Sequence, residues 1–180
     1  MRTSLLVALG ITLMTCPVFA QKMGMANKNA PTVTQSITFA GKQSIELSYT
    51  AITWAQGEWA KAIETKNADM RKGINDAAEK SPLGSLKLSA DMTIGGKKVA
   101  AGTYKVMFTL TDAFGWQLTF AGDKEKITWA LDLKDAEGGK QIKRLTLALH
   151  AGDTDTTAAL YVAFGAKRGE IPIDSEAKSG

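Results

Sequence analysis

Apolar and polar residues alternate with a period of two along most of the chain from Val33 onward, the pattern of β-strands that bury one face. The runs are short, and turn residues such as Gly and Asp separate them about every eight to twelve positions. A parallel sheet would need helical crossovers, for which residues 86–164 leave no room. The pattern therefore predicts a mainly β domain of about eight or nine strands, folded as an antiparallel β-sandwich or a barrel-like domain.

Residues 54–84 interrupt the alternation. Four apolar residues recur there at spacings of four, seven and four positions, which suits one face of a helix. These residues are Trp59, Ile63, Met70 and Ile74. We expect one short helix over residues 57–66, followed by an irregular loop that ends near residue 84. Long connections on a rigid β scaffold often carry function, so this segment is the first place to look for a site.

The first 20 residues have the three parts of a cleavable secretory signal peptide. Arg2 supplies the positive start, residues 5–14 form a short apolar stretch, and residues 18–20 place small side chains at the two positions that a signal peptidase reads. The apolar stretch is shorter than the roughly 20 residues that a membrane-spanning helix needs. We therefore predict cleavage after Ala20 and an exported protein, either periplasmic or secreted.

Cys16 allows a second interpretation of the same segment. Residues 13–16 resemble a bacterial lipoprotein box, in which the cysteine is acylated and becomes the new N-terminus. Thr15, however, stands where such boxes prefer Gly, Ala or Ser, and the better cleavage site lies four residues further on. We favour the cleaved, unanchored protein, with a lipoprotein attached through Cys16 as the alternative.

Cleavage would change the composition in two ways. It would leave 160 of the 180 residues and remove the only cysteine, so the domain would have no disulfide. It would also leave 21 Lys and Arg against 18 Asp and Glu, a dispersed net charge near +3 that does not indicate nucleic-acid binding. We expect a flexible leader over residues 21–31, a single β domain over 32–175 and a flexible tail over 176–180, with no transmembrane segment.

One stretch of the chain is similar to a known bacterial family. Residues 93–104, which read Thr-Ile-Gly-Gly-Lys-Lys-Val-Ala-Ala-Gly-Thr-Tyr, resemble the central hairpin of the family called domain of unknown function 2911. That family also has an upstream motif, Trp-Arg-x-Gly-Ala-Asn-Glu-Ala. The matching residues are Arg71, Gly73, Asn75 and Ala77. Asp76 keeps the carboxylate of the motif's Glu, whereas Met70 and Ile74 depart from it. The resemblance implies an exported β-domain protein and no established activity.

The residue types present argue against several kinds of site. His150 is the only histidine, and its parity places it opposite the apolar side chains of its strand, so we interpret it as solvent-facing rather than catalytic. One histidine and no cysteine in the mature chain do not suffice for a zinc or copper site. Acidic residues in the segments 132–137 and 153–156 could offer oxygens to calcium, but acids in β-turns are usually turn formers. We expect no metal and no cofactor.

The candidate ligand-binding residues of the 54–84 segment are Arg71, Asn75 and Asp76. Arg supplies a rigid fork of donors, Asn both a donor and an acceptor, and Asp acceptors only, which together suit a small polar ligand. A structural interpretation competes with this one. Arg71 could pair with Asp76 while Asn75 bonds to backbone groups, and the cluster would then hold a long loop on the sheet.

Tryptophans give a second indication of a site. Trp116 and Trp129 are in phase with apolar neighbours, so we expect them in the core. Trp54 and Trp59 flank the irregular segment, where they could line a pocket or stack on a sugar ring.

Three functions remain open at this point. The one we favour is a non-enzymatic exported module that binds a small polar ligand or a glycan, or that associates with the cell envelope. The first alternative is an enzyme that acts on glycans with carboxylates alone, which requires two acidic groups in one cleft. The second is a purely structural domain.

Overall fold

The structure is a computed structural model that describes residues 29–53, 58–139 and 141–175. The predicted signal peptide with Cys16, most of the predicted leader and the predicted tail lie outside these residues. Within the described ranges the chain forms twelve strands and two α-helices. The strands are β1 (Thr32–Thr38), β2 (Ser44–Thr50), β3 (Gly84–Leu88), β4 (Met92–Ile94), β5 (Lys97–Val99), β6 (Gly102–Leu110), β7 (Trp116–Ala121), β8 (Lys126–Ala130), β9 (Lys134–Asp135), β10 (Ile142–Ala151), β11 (Thr157–Gly165) and β12 (Lys167–Ser175). The helices are α1 (Glu58–Thr65) and α2 (Ala68–Lys80), and a 3-10 turn covers Glu137–Gly139.

The strands form two antiparallel sheets. Sheet 1 has the order β1-β2-β3-β6-β7-β8, and sheet 2 has the order β10-β11-β12-β4-β5, with β9 paired to β12. Every pairing between these strands is antiparallel. The two sheets are separate rather than joined into one closed barrel. The predicted mainly β, antiparallel fold is confirmed, and of the two architectures it is the sandwich that the structure adopts. The described residues form twelve strands rather than the expected eight or nine, because the short strands β4, β5 and β9 span only two or three residues each.

Side chains from the inner faces of both sheets form the core, as the alternation along the strands predicts. Its aromatic centre joins the two sheets. Phe108 of β6 stacks on Trp116 of β7 with ring centroids 4.8 Å apart, and Phe164 of β11 meets these rings edge-on at 5.8 and 5.6 Å. Each such side chain contributes about 1.5–3 kcal/mol by leaving water. Trp116 and Trp129 are both buried, so their predicted core positions are confirmed.

One stretch that reads as a single strand serves both sheets. The apolar positions of residues 86–94 keep one parity, yet β3 ends at Leu88 in sheet 1 and β4 begins at Met92 in sheet 2. Both parts remain buried because each sheet turns its inner face toward the same core. Crossing from one sheet to the other therefore does not disturb the alternation, and the break is invisible in the sequence pattern.

The segment expected to be irregular is helical instead. Residues 68–80 form the 13-residue helix α2, so the expected loop is wrong there, whereas the short helix expected over residues 57–66 is confirmed by α1. The Asn67 side chain caps the helix by accepting a hydrogen bond from the Met70 N–H at 2.9 Å, and Asp69 and Lys80 complement the helix dipole at the two ends. Ile74 is the only residue of α2 that is buried, so beyond the Met70–Ile74 spacing little apolar periodicity marks the helix. No helix among the described residues is long and apolar enough to cross a membrane.

Side chains bridge the sheets along both lateral edges of the sandwich. On one side, the amide of Gln35 on β1 donates to the Leu147 carbonyl oxygen of β10 at 2.9 Å and accepts from the Leu149 N–H at 3.0 Å. On the other side, Lys97 of β5 donates to the Thr128 carbonyl oxygen of β8 at 2.7 Å. These bonds occupy backbone groups of edge strands, which are otherwise open to pairing with another chain.

Candidate functional site

Helix α2 carries the three predicted polar site residues and packs against β6, and α1 packs against α2. The exposure of the outward-facing side chains of β6 shows which half of this strand is covered. Thr103 and Lys105, in the first half of the strand, are exposed, whereas Met107 and Thr109, in the second half, are buried. The second half leads to Leu110, which is the residue that α2 contacts through Asn75.

Asn75 bonds to the backbone of β6 through both atoms of its amide. Its Nδ2 donates to the Leu110 carbonyl oxygen at 2.9 Å, and its Oδ1 accepts from the Leu110 N–H at 2.9 Å. The pairing of β3 with β6 ends at the Gly84–Val106 pair, so Leu110 lies beyond the last residue that β3 reaches. The amide thus takes the place of a strand neighbour, which supports the structural interpretation of Asn75.

Arg71 reaches the turn between β6 and β7 rather than Asp76. Its guanidinium forms an ion pair with Asp112 and lies over the ring of Phe114, 5.6 Å from the centroid. Asp112 is almost fully exposed, so water screens this pair and its contribution to stability is small. The Nε atom of Arg71 is buried and has no hydrogen-bond partner among the described residues.

Asp76 faces along its own helix. It forms an ion pair with Lys72, one turn earlier on the surface of α2. The hydrogen bond from Lys72 lowers the pKa of the Asp76 carboxyl and raises the pKa of the Lys72 amine. Both side chains are largely exposed, so this pair is a solvated surface contact.

The predicted site residues therefore share a helix but have separate partners, and Arg71, Asn75 and Asp76 line neither of the two cavities described below. Trp54 lies outside the described residues. Trp59 lies in α1, and its side chain is likewise outside what the structure describes. Their predicted stacking role stays a prediction.

A cavity of about 350 Å³ lies where the connection from β5 to β6 faces the turn from β7 to β8. We call it the Tyr104–Glu125 cavity. It is lined by Ala100, Ala101, Gly102, Thr103, Tyr104, Gly122, Asp123, Lys124 and Glu125. Its volume lies in the range of small-molecule sites. Two carboxylates, one ammonium group, a phenol and the Thr103 hydroxyl supply its polar chemistry.

A buried phenol and a half-buried carboxylate form the centre of this cavity. The Tyr104 hydroxyl lies 2.7 Å from the Ala100 carbonyl oxygen and 2.6 Å from Oε1 of Glu125, so its one hydrogen is directed at these two acceptors. The Ala100 N–H also donates to Oε1 of Glu125, at 3.1 Å. Burial raises the pKa of Tyr104, and the hydrogen bond to the Glu125 carboxylate raises it further. The phenol therefore stays protonated and keeps the carboxylate in place.

The two walls of the cavity are held by tight local packing. A Cβ atom on Gly122 would lie 2.9 Å from the Tyr104 ring, so only glycine lets the β7–β8 turn approach the ring this closely. On the opposite wall, the Ala101 N–H donates to Oδ1 of Asp91 at 2.8 Å. The sequence pattern predicts no site at this end of β6. The Ala-Gly-Thr-Tyr run and the Gly122-Asp123 turn mark the two sides of the cavity, but the pattern does not show that they face each other.

A second, smaller cavity of about 190 Å³ lies beside Trp129, between the segment after β8 and the middle of β12. The indole nitrogen of Trp129 donates to the Ile94 carbonyl oxygen at 3.0 Å, and Lys97 lies over the indole ring, 5.6 Å from the centroid. The only polar side chains of its lining besides the indole are Asp132 and Glu170, both exposed, so it has no buried charged group to orient a ligand.

His150 lies exposed on sheet 2, where it stacks on Tyr161 with ring centroids 5.5 Å apart. Over the part of the chain that the structure describes, no three His, Cys, Asp or Glu side chains come together in a way that could hold a metal ion.

Fold and site together define an antiparallel two-sheet β-sandwich with a helical segment packed on β6 and the Tyr104–Glu125 cavity beside the β7–β8 turn. Comparisons of the chain with protein families, with curated proteins and with solved structures gave no match. The resemblance of residues 93–104 and of the motif at residues 70–77 to the domain of unknown function 2911 stays a prediction from those residues.

Proposed function

We propose that the protein is an exported, non-enzymatic module that binds a small polar ligand, such as a glycan unit, in the Tyr104–Glu125 cavity. The observation that carries this proposal is the phenol–carboxylate pair at the centre of the cavity. Oε1 of Glu125 accepts bonds from Ala100 and Tyr104, so the carboxylate has a set orientation before any ligand arrives. Groups that are oriented in advance lose little freedom on binding, which favours affinity.

The proposal moves the ligand from the 54–84 segment to the opposite end of β6. Asn75 has both of its amide atoms engaged by Leu110, and Asp76 is paired with Lys72. The polar groups of the Tyr104–Glu125 cavity, by contrast, converge on one volume large enough for a small molecule.

Chemical-shift mapping on residues 21–180 tests the proposal. We would titrate the protein with a panel of monosaccharides, disaccharides and free amino acids, and we expect at least one compound to shift the amide signals of residues 100–104 and 122–125. In the variant Ala101→Trp, which adds bulk at an exposed position of the lining, these shifts should disappear. Ala77→Trp, which adds the same bulk at an exposed position of α2, is the matched control and should keep them.

Other results would decide against the proposal. Shifts confined to α2 would return the site to Arg71 and its neighbours. A panel with no effect on the cavity would favour the purely structural domain. Cleavage of a disaccharide that is lost on Glu125→Gln would identify a carboxylate enzyme, since Asp123 and Glu125 both line the cavity.

A further inference from the structure

The hydrogen-bond donors of the cavity walls are largely used within the protein. The Ala100 N–H is bonded to Glu125, the Ala101 N–H to Asp91, and the Tyr104 hydroxyl to Ala100 and Glu125. Among the described residues no donor reaches Oε2 of Glu125, and its two wall contacts both end on Oε1. The donors of Thr103 and Lys124 are on exposed side chains, so the half-buried group that remains for a ligand is the second oxygen of this carboxylate.

The charge around the cavity also favours a ligand that donates hydrogen bonds and carries a positive charge. The charged side chains of the lining are Asp123, Lys124 and Glu125, which leave an excess of one negative charge. In the described part of the chain Glu125 has no ion-pair partner. The neighbouring Lys126 is paired with Glu79 instead, at 2.7 Å.

Asp91 adds a further negative charge on the β5–β6 side. Its carboxylate bonds to the Ala101 N–H and is close enough to Tyr104 to help raise the pKa of that phenol. Lys124 is exposed at the tip of the β7–β8 turn, where solvent screens it from the interior of the cavity. The half-buried Glu125 is screened less, so its charge dominates inside the cavity.

From these observations we infer that the Tyr104–Glu125 cavity recognises a protonated amino group on a polar, hydroxyl-bearing ligand, and so takes an amino sugar in preference to a neutral sugar. The amino group donates to Oε2 of Glu125, and its positive charge balances the uncompensated carboxylate. The ring hydroxyls face Asp123 and Thr103, which both line the cavity. The inference rests on the proposed function, because it names the ligand class of the same site.

Three sugars that share the same ring but differ in charge test this inference. Glucosamine carries a protonated amine at pH 6, whereas N-acetylglucosamine and glucose are neutral. Calorimetric titration of residues 21–180 should show that glucosamine binds at least about tenfold more tightly than either neutral sugar, a difference of about 1.4 kcal/mol. Affinity for glucosamine should fall as salt is raised, since the contact is ionic.

The variant Glu125→Gln separates charge from shape. Its amide oxygen still accepts from Ala100 and Tyr104, so the wall keeps its geometry while the charge is lost. We expect a loss of about tenfold in glucosamine affinity and little change for glucose. Glu79→Gln, the same substitution at a carboxylate that pairs with Lys126 outside the cavity, is the matched control and should bind like the wild type. If Glu125→Gln fails to fold, Asp123→Asn replaces it, and we then expect a smaller loss with the same preference for charge.

The outcomes separate the inference from the function on which it rests. If neutral sugars bind at the cavity as tightly as glucosamine, or if Glu125→Gln binds glucosamine like the wild type, the inference is wrong and the binding function stands. It is also wrong if amino acids or disaccharides shift residues 100–104 and 122–125 while glucosamine does not. If no compound shifts those residues, both proposals fail.

Discussion

Replacing Asn75 by alanine removes two hydrogen bonds without removing a buried apolar group. The amide of Asn75 holds both backbone groups of Leu110, at 2.9 Å each, and no residue of β3 is in register to take its place. The variant therefore leaves an N–H and a C=O at the end of β6 without partners. It also loosens the contact through which α2 is held on the sheet.

The size of the effect follows from three contributions. Two hydrogen bonds at about 1 kcal/mol each give about 2 kcal/mol, and leaving the two Leu110 groups partly unsatisfied adds about 1–2 kcal/mol. Alanine is the better helix former by about 0.5 kcal/mol, which offsets part of the loss. We expect Asn75→Ala to lower the free energy of unfolding by about 3 kcal/mol, or the melting temperature by about 6–12 °C for a domain of this size.

Urea denaturation followed by tryptophan fluorescence measures this change. The midpoint should fall while the slope stays constant, because the surface exposed on unfolding is nearly the same. Asp76→Asn, at the next position of the helix, is the control, because it loses only a solvated surface ion pair. Its urea midpoint should equal that of the wild type. An Asn75→Ala variant that lies within about 0.5 kcal/mol of the wild type would refute the structural role. If it then also lost ligand binding, Asn75 would belong to a ligand site.

Two further predictions test the edge bridge and the buried phenol. Replacing Gln35 by alanine should lower the free energy of unfolding by about 2 kcal/mol, because its two bonds to β10 are lost, and should increase self-association through the uncovered edge. Urea denaturation and light scattering measure these effects. Thr34→Ala, on the exposed face of β1, is the control. Equal stability and equal self-association of the two variants would contradict the role of Gln35. Because the pKa of Tyr104 is raised in the folded protein, its stabilising effect is complete below the unfolded value of about 10 and is lost as the pH rises above it. Tyr104→Phe should therefore be less stable than the wild type at pH 7 but lose less stability between pH 9 and 11. Urea denaturation at each pH measures the free energy of unfolding of both proteins. If the two free energies fall equally between pH 9 and 11, this phenol does not contribute to the alkaline loss.

The predicted site was only partly accessible to sequence reasoning. The residue types of Arg71, Asn75 and Asp76 suggested hydrogen bonding at one place, and the alternative in which Asn75 bonds to backbone groups is what the structure contains. The partner of Arg71 was wrong in that alternative, because Asp112 lies 41 positions away on a turn whose proximity to α2 no local pattern reveals. Helix α2 was missed for a related reason, since a helix that buries a single side chain leaves little periodic signal beyond the Met70–Ile74 spacing.

The amino-acid sequence by itself determined most of the strand residues and the side chains in them that point inward, because a strand alternates its faces every residue and burial selects for apolar side chains. It also carries the predicted export signal. Only the tertiary structure decided which strands are neighbours, where the chain crosses between the sheets, and which polar groups meet. Gln35 and Leu149 are 114 positions apart, and Tyr104 and Glu125 are 21 apart. Alternation is a local property, whereas these contacts depend on how two sheets and their turns pack. The phenol–carboxylate pair of the proposed site is therefore a product of the fold rather than of any motif.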